Sequence, residues 1–201
     1  MSSPKKWVPR GRATITLGSF VLCLALASGS PAANESLRQY VDEITAASIT
    51  VSTEILVFAR ERTDLAVNAR DYITLAPVEI NRTGARSLFW SGYLWSTIDR
   101  RNAQPLLAEG DELVLLADGR PLRLHGDGKT LRDHGAGEPI TSSPGRHAVP
   151  VLFPATPEEI AYVSRATEVR IELIHAGTSE SFTLWKGKPA KLSEFAESVS
   201  P

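Results

Sequence analysis

The chain has 201 residues, a formal net charge of −1 at pH 7 and a single cysteine. One cysteine excludes an intrachain disulfide framework, and a charge balance without a basic excess argues against a nucleic-acid-binding protein. Residues 34–201 carry 18 basic and 23 acidic side chains, a net charge of −5, which also argues against binding to anionic membranes.

The first 33 residues have the order of a secretory signal peptide: basic, then apolar, then small. The apolar run of 15 residues, 13–27, is shorter than the ~20 that a membrane-spanning helix needs. We therefore expect cleavage after Ala27 or Ala32 and a mature protein that is periplasmic or secreted. A lipoprotein signal ending at Cys23 is the less favoured alternative, because Leu22 precedes the cysteine and the apolar run continues after it.

The remaining residues, 34–201, are predicted to form a single domain that a hydrophobic core alone can hold together. A short helix is predicted over 37–45, because Ser36 and Gln39 have the spacing of a capping box. Residues 48–60 alternate as one strand, and the charged stretch 61–71 predicts a loop or a helical turn.

The central stretch, Tyr72–Ile98, predicts two long antiparallel strands joined by a turn at Asn81–Gly84. Pro77 cannot donate a ladder hydrogen bond, so the first strand is expected at a sheet edge or with a bulge there. The second strand is apolar on both faces, which favours a central strand covered on each side. The alternative is that one aromatic face, which carries Phe89, Tyr93 and Trp95, is an open binding surface.

Asp118-Gly119 between apolar runs predicts a hairpin over 112–124, and the Gly- and Pro-rich stretch 125–146 predicts a long surface loop. Residues 147–201 are predicted as a strand-helix-strand-strand-helix unit, with a helix capped by Thr156. The whole pattern predicts an α+β fold: a mostly antiparallel β-sheet of about six to eight strands with three short helices.

Metal ions and other cofactors are not expected. The side chains that could bind zinc lie in or beside the long loop, at spacings that match no closed site: His125, Asp127, Asp133, His134 and His147.

Two further chemistries have little support in the sequence. Gly126–Thr130 lacks the earlier glycine of a phosphate-binding loop, since Arg123 stands at that position. No Gly-x-Ser-x-Gly elbow occurs and residues 34–201 contain no cysteine, although a dispersed Ser/His/Asp triad would leave no such signature.

The candidate ligand site follows the aromatic strand and consists of Trp95, Asp99, Arg100 and Arg101. Binding residues are common where a strand ends, and Asp99 with either arginine could hold a small polar ligand. The alternative interpretation is a solvated turn with salt bridges.

The chain resembles a group of secreted proteobacterial proteins of unknown function over most of residues 36–199. The resemblance implies an envelope address and assigns no active site. It rests on three stretches of the sequence, Arg70-Asp71-Tyr72 through Val78-Glu79-Ile80-Asn81-Arg82, Trp95-Ser96-Thr97-Ile98-Asp99-Arg100, and Ala117-Asp118-Gly119-Arg120.

Three functions are compatible with these patterns. The leading hypothesis is a soluble periplasmic or envelope binding or accessory protein without catalytic activity, with an unknown ligand or an envelope protein as its partner. The second is a hydrolase that acts on an envelope polymer through a dispersed site. The third is a subunit of a larger envelope assembly. Convergence of Asp99, Arg100 and Arg101 with one of the loop histidines on one pocket would favour the enzyme.

Overall fold

A computed structural model describes residues 36–98, 112–137, 139–175 and 177–200, all within one compact unit, Asn34–Pro201. The α+β class is confirmed, but the counts differ from the prediction: the described part has ten strands and two α-helices. The strands are β1 (Leu37–Val41), β2 (Ser48–Ser52), β3 (Leu56–Glu61), β4 (Arg70–Arg82), β5 (Ala85–Ser96), β6 (Glu112–Ala117), β7 (Arg120–Leu124), β8 (Val149–Pro154), β9 (Val169–His175) and β10 (Thr178–Lys186). The helices are α1 (Pro157–Arg165), a 3-10 turn (Pro189–Leu192) and α2 (Ser193–Val199).

All the described strand pairs are antiparallel and belong to one sheet. The path runs β1-β2-β4-β3-β10-β9-β6-β7, while β5 pairs with β4 on one side and with β8 on the other. Strand β5 covers the whole length of one edge of β4. Strands β2 and β3 therefore share the opposite edge of β4, one at each end.

The predicted β4–β5 hairpin is confirmed in register from Asp71↔Ser96 to Arg82↔Ala85. Its two turn residues, Thr83 and Gly84, both have positive φ, at 53° and 90°, as the tight hairpin turn requires. Pro77 lies neither at an edge strand nor at a bulge. It lies between the segment of β4 that pairs with β2 and the segment that pairs with β3. No strand stands opposite Pro77 on that edge, so the sheet does not need a hydrogen bond from its nitrogen there.

Two predictions for the N-terminal part are wrong. Residues 37–41 form β1 instead of a helix, because they pair residue for residue with β2 and the Ser36 hydroxyl contacts the carboxylate of Glu194 instead of capping. Residues 48–60 form two strands instead of one. The chain leaves the sheet at Thr53–Ile55, so that β2 and β3 pair with different halves of β4.

The two faces of the sheet are covered differently. On the helix face, Phe58, Ile73 and Trp90 pack with Val163 of α1 and Phe195 of α2 in the larger core cluster. On the opposite face, which we call the loop face, a smaller core joins β2, β4 and β5 to Leu131, Ala136 and Ile140. The prediction that β5 is central and covered on both sides is confirmed at Phe89 and Trp90, which are 3% and 1% exposed.

Helix α1 begins as its sequence predicts. The Thr156 side chain accepts a hydrogen bond from the Glu159 amide at 3.2 Å, and the Glu159 carboxylate accepts one from the Thr156 amide at 2.9 Å. The predicted hairpin at Asp118-Gly119 is also confirmed, with both residues at positive φ. Among the described residues, no helix combines the length and the apolar character that crossing a bilayer requires.

Candidate functional site

Three aromatic side chains form a row across the loop face: Trp95 of β5, Tyr72 of β4 and Trp185 of β10. The Tyr72 and Trp95 rings are cross-strand partners and stack with centroids 4.1 Å apart and planes at 11°. The Trp185 ring centroid lies 5.5 Å from that of Tyr72, at 60°. Tyr72 is 5% exposed and Trp185 is 58% exposed, so the row ends in an open indole. We call these three residues the aromatic row.

A β-bulge places Trp185 in this row. Leu184 pairs with Phe58 and Lys186 pairs with Val57, so Trp185 has no partner on β3. A bulge of this kind re-aims side chains, and here Trp185 and Lys186 both border a groove on the loop face. Ala59 of β3 is paired with Tyr72 and with Thr183, and its small side chain leaves room for the indole to approach Tyr72.

The groove has a volume of about 500 Å³ and lies between the aromatic row and the loop after β7. We call it the central hollow. Its lining combines aromatic rings, short apolar side chains and hydroxyl groups, a mixture typical of small-molecule sites. The residues that line it include Glu54, Val57, Thr74, Ser91, Tyr93, Trp95, Thr141, Ser142, Trp185, Lys186 and Lys191.

Tyr93 separates the central hollow from a second hollow of about 330 Å³. The Tyr93 hydroxyl donates a hydrogen bond to the carbonyl of Thr141 at 2.9 Å, which ties β5 to the loop after β7. Both hollows are lined by Ser91, Gly92 and Tyr93. Residues 129–132 and 150–152 line the second hollow on its far side.

A third hollow, of about 440 Å³, adjoins the central hollow at Thr53, Glu54 and Lys191. It continues to Ser36 and Glu194 at the start of α2. The central hollow thus shares wall residues with each of the other two hollows, and we call the three adjoining hollows together the track.

Charges in the track are mostly positive. The Glu54 carboxylate accepts a hydrogen bond from the Lys188 amide at 2.7 Å and lies 3.3 Å from the Lys191 ammonium. Glu54 is therefore engaged within the protein, and its side chain is 17% exposed. Lys129, Arg132 and Lys186 form no ion pair with any residue that the structure describes. The Lys129 charge nevertheless acts on the carboxylates of Asp127 and Asp133, which leaves Arg132 and Lys186 as the track cations without a carboxylate partner among the described residues.

The predicted site residues are placed only in part. Trp95 lies in the central hollow, as a binding role requires. Asp99, Arg100 and Arg101 lie outside the described residues, so their role stays a prediction. Thr97, just before them, continues the hairpin by donating its amide to the carbonyl of Arg70 at 2.9 Å.

The loop histidines do not line any of the three hollows. His134 Nε2 lies 2.8 Å from Asp127 Oδ2, and the imidazole ring packs against Phe89 with centroids 4.5 Å apart. The Lys129 amide donates to Asp127 at 3.0 Å and holds the pKa of that carboxyl below its ordinary value. Within the described ranges, no three His, Cys, Asp or Glu side chains are grouped so that they could hold a metal ion.

Asp42 anchors the loop that forms one wall of the second hollow. Its carboxylate accepts hydrogen bonds from the amides of Ile44 at 2.9 Å, Thr45 at 3.0 Å and Gly137 at 2.7 Å. Burial raises the pKa of Asp42, but these amide hydrogen bonds outweigh burial and leave the pKa below its ordinary value. The turn after β1 is thereby fixed to Gly137, which lines the second hollow.

Asp42→Asn is expected to lower Tm at neutral pH, because an amide cannot accept all three hydrogen bonds. Since the folded pKa is depressed, the carboxylate stabilises the fold above the unfolded value, and this stabilisation is lost as pH falls through the folded pKa. The Tm difference between wild type and variant should therefore shrink below about pH 4. Calorimetry at several pH values measures it. Glu43→Gln, at the exposed neighbour, should leave Tm unchanged at every pH, and a difference for Asp42→Asn that is constant with pH would contradict the role of its charge.

Searches of protein-family models, of curated proteins and of solved structures each return no match to this chain.

Proposed function

We propose that this protein is an exported, non-catalytic binding protein whose track holds an extended saccharide. The observation that carries the proposal is the aromatic row, which ends in the exposed indole of Trp185 beside the central hollow. The sequence pattern of residues 1–33 supports export to the periplasm or beyond the cell.

The chemistry of the central hollow suits a sugar ring. One face of a pyranose carries C–H groups and packs on an aromatic ring, whose face is electron-rich, while the hydroxyl groups project from the edge of the sugar. Trp185 and Trp95 supply ring surfaces, and hydroxyl groups of Thr74, Ser91 and Ser142 line the same hollow. The Thr74 hydroxyl already accepts a hydrogen bond from the Tyr93 amide at 2.9 Å, so Ser91 and Ser142 are the hydroxyl groups of this set that would meet a sugar.

The number of adjoining hollows suits a chain of several sugar units. The central hollow shares Tyr93 with the second hollow and Glu54 with the third, so units bound in neighbouring hollows would lie on either side of these residues. A single monosaccharide would fill one hollow and leave the others to solvent.

Replacing Trp185 with alanine tests the proposal. Loss of the stacking surface should raise Kd for a bound oligosaccharide about tenfold or more, equivalent to roughly 1.4 kcal/mol. Titration of linear oligosaccharides of several units by calorimetry measures this change. Trp185→Phe, which retains a ring, should recover part of the affinity.

Val67→Ala serves as the control, because Val67 is an 88% exposed apolar residue that does not line the track. Its affinity should equal that of wild type. Binding of no oligosaccharide to the wild type, or equal binding by Trp185→Ala, would refute the proposal.

A hydrolase of an envelope polymer is the second candidate, favoured by the two carboxylates, Glu54 and Glu194, that line the third hollow. Acid–base hydrolysis of a glycosidic bond uses such a pair. However, Glu54 is engaged by Lys191 and the Lys188 amide, and Glu194 is contacted by the Ser36 hydroxyl. Chromatography of the titrated oligosaccharides distinguishes the two functions, because a binding protein returns them intact.

A further inference from the structure

We infer that the track selects an acidic saccharide, a chain of hexuronate units, and that Lys186 binds the carboxylate of the unit stacked on Trp185. The inference rests on the proposed function and adds the charge of the ligand to it.

The charge of the track is the first observation. Four basic side chains line the central and second hollows, Lys129, Arg132, Lys186 and Lys191, against the single carboxylate of Glu54. Lys191 neutralises that carboxylate at 3.3 Å. The Lys129 charge acts on Asp127 and Asp133, so Arg132 and Lys186 remain without a carboxylate partner among the described residues, on a chain whose overall net charge is −1. Cations on the wall of a hollow attract ligands of the opposite sign.

The bulge in β10 is the second observation. In a regular strand, Trp185 and Lys186 would point to opposite faces of the sheet. The skipped register at Leu184/Lys186 lets both residues border the central hollow. Trp185 and Lys186 are therefore sequence neighbours that line the same hollow, so a ring stacked on the indole shares that hollow with the lysine. A hexuronate carries its carboxylate on a ring carbon, so the charged group lies at the periphery of that ring.

Cations on both sides of Tyr93 are the third observation. Lys186 belongs to the central hollow, whereas Lys129 and Arg132 belong to the second hollow, beyond the Tyr93 side chain. A ligand with one acidic group would meet one of these sites. A polymer that repeats its carboxylate in every unit meets both.

Other anionic polymers fit less well. An acidic peptide has charge but no saturated ring to lie on the exposed indole of Trp185. A nucleic acid carries a phosphate on every nucleotide, and its binding proteins are typically basic, whereas residues 34–201 have a net charge of −5.

The experiment compares oligomers of galacturonate and of mannuronate with their carboxyl-reduced, neutral counterparts, titrated by calorimetry into the full mature protein. Wild type should bind at least one acidic oligomer about tenfold more tightly than its reduced form. Raising NaCl from about 50 mM to about 500 mM should weaken the acidic oligomer selectively. Lys186→Gln should lose most of the preference and keep its affinity for the neutral form.

Lys188→Gln is the matched control, because it removes the same charge two residues away at an exposed position that does not line the track. Its preference should equal that of wild type, and circular dichroism should show both variants folded.

Each of the other outcomes overturns either the inference about charge or the proposed function as well. If acidic and reduced oligomers bind equally and Trp185→Ala weakens both, the proposed function stands and the inference fails. If none of the oligomers binds, both fail. If oligo-dT or a polyglutamate peptide binds more tightly than every oligosaccharide and Lys186→Gln weakens it, the ligand class is wrong.

Discussion

Gly92→Ala is expected to lower the free energy of unfolding by more than about 4 kcal/mol, a larger loss than most single substitutions cause. An ideal Cβ on Gly92 would lie 1.6 Å from the Thr74 carbonyl oxygen and 2.5 Å from its carbon. Both atoms belong to the backbone of β4, directly across the longest hairpin of the sheet, so no side-chain rotation can relieve the overlap. Urea unfolding followed by far-UV circular dichroism measures the loss.

Gly145→Ala is the control for this substitution. A Cβ at Gly145 meets nothing within 4 Å, and its φ lies outside the left-handed region. This variant should match wild type or gain up to about 1 kcal/mol through a less flexible unfolded chain. Similar unfolding midpoints for the two variants would mean that β4 and β5 do not approach as closely as described.

Asp71→Asn is expected to cost about 3 kcal/mol, near the lower end for breaking a buried ion pair. The Asp71 carboxylate is fully buried and accepts hydrogen bonds from Arg60 at 2.7 Å and from Arg62 at 2.9 Å. Each guanidinium keeps a second carboxylate, Glu180 or Asp64, which limits the loss. Thermal and urea unfolding measure the change.

Glu180→Gln provides the comparison, because it removes the exposed partner of Arg60 in place of the buried one. The Glu180 side chain is 44% exposed, so this substitution should cost less than about 1 kcal/mol. An Asp71→Asn variant that is no less stable than Glu180→Gln would show that burial does not strengthen the Arg60–Asp71 pair.

The parts of the fold that the sequence predicts are those where local signals and sheet pairing agree. Asn81–Gly84 favours a tight turn, the flanking residues alternate, and the β4–β5 hairpin forms as expected. The capping box at Thr156 likewise predicts α1 correctly. In both places the residues that determine the element lie within a few positions of one another.

The errors arise where a distant partner decides the structure. Ser36 and Gln39 satisfy the helix pattern, yet the edge of β2 pairs with residues 37–41 and outweighs it. The alternation from Ser48 to Arg60 contains no breaker at Thr53–Ile55. The interruption there depends on two strands sharing one edge of β4, which no local pattern encodes.

The candidate site follows the same rule. The position of Trp95 near the end of β5 follows from the β4–β5 hairpin, which the sequence predicts, while its binding role stays a prediction. Trp185 is not predictable, since its position next to Tyr72 requires the bulge, and the bulge exists only through the pairing of β10 with β3. Lys186 would otherwise be taken for an ordinary solvated lysine.

The place of β10 in the sheet order also sets when the chain can finish folding. Thr183 and Ala59 are 124 residues apart, and without β10 the described strands separate into two groups that no strand pairing connects, one around β4 and one around β9. Contacts of such long sequence separation impose a large loop-closure entropy and slow folding. The newly synthesised polypeptide should therefore stay incompletely folded until β10, the last of the described strands, is available to pair.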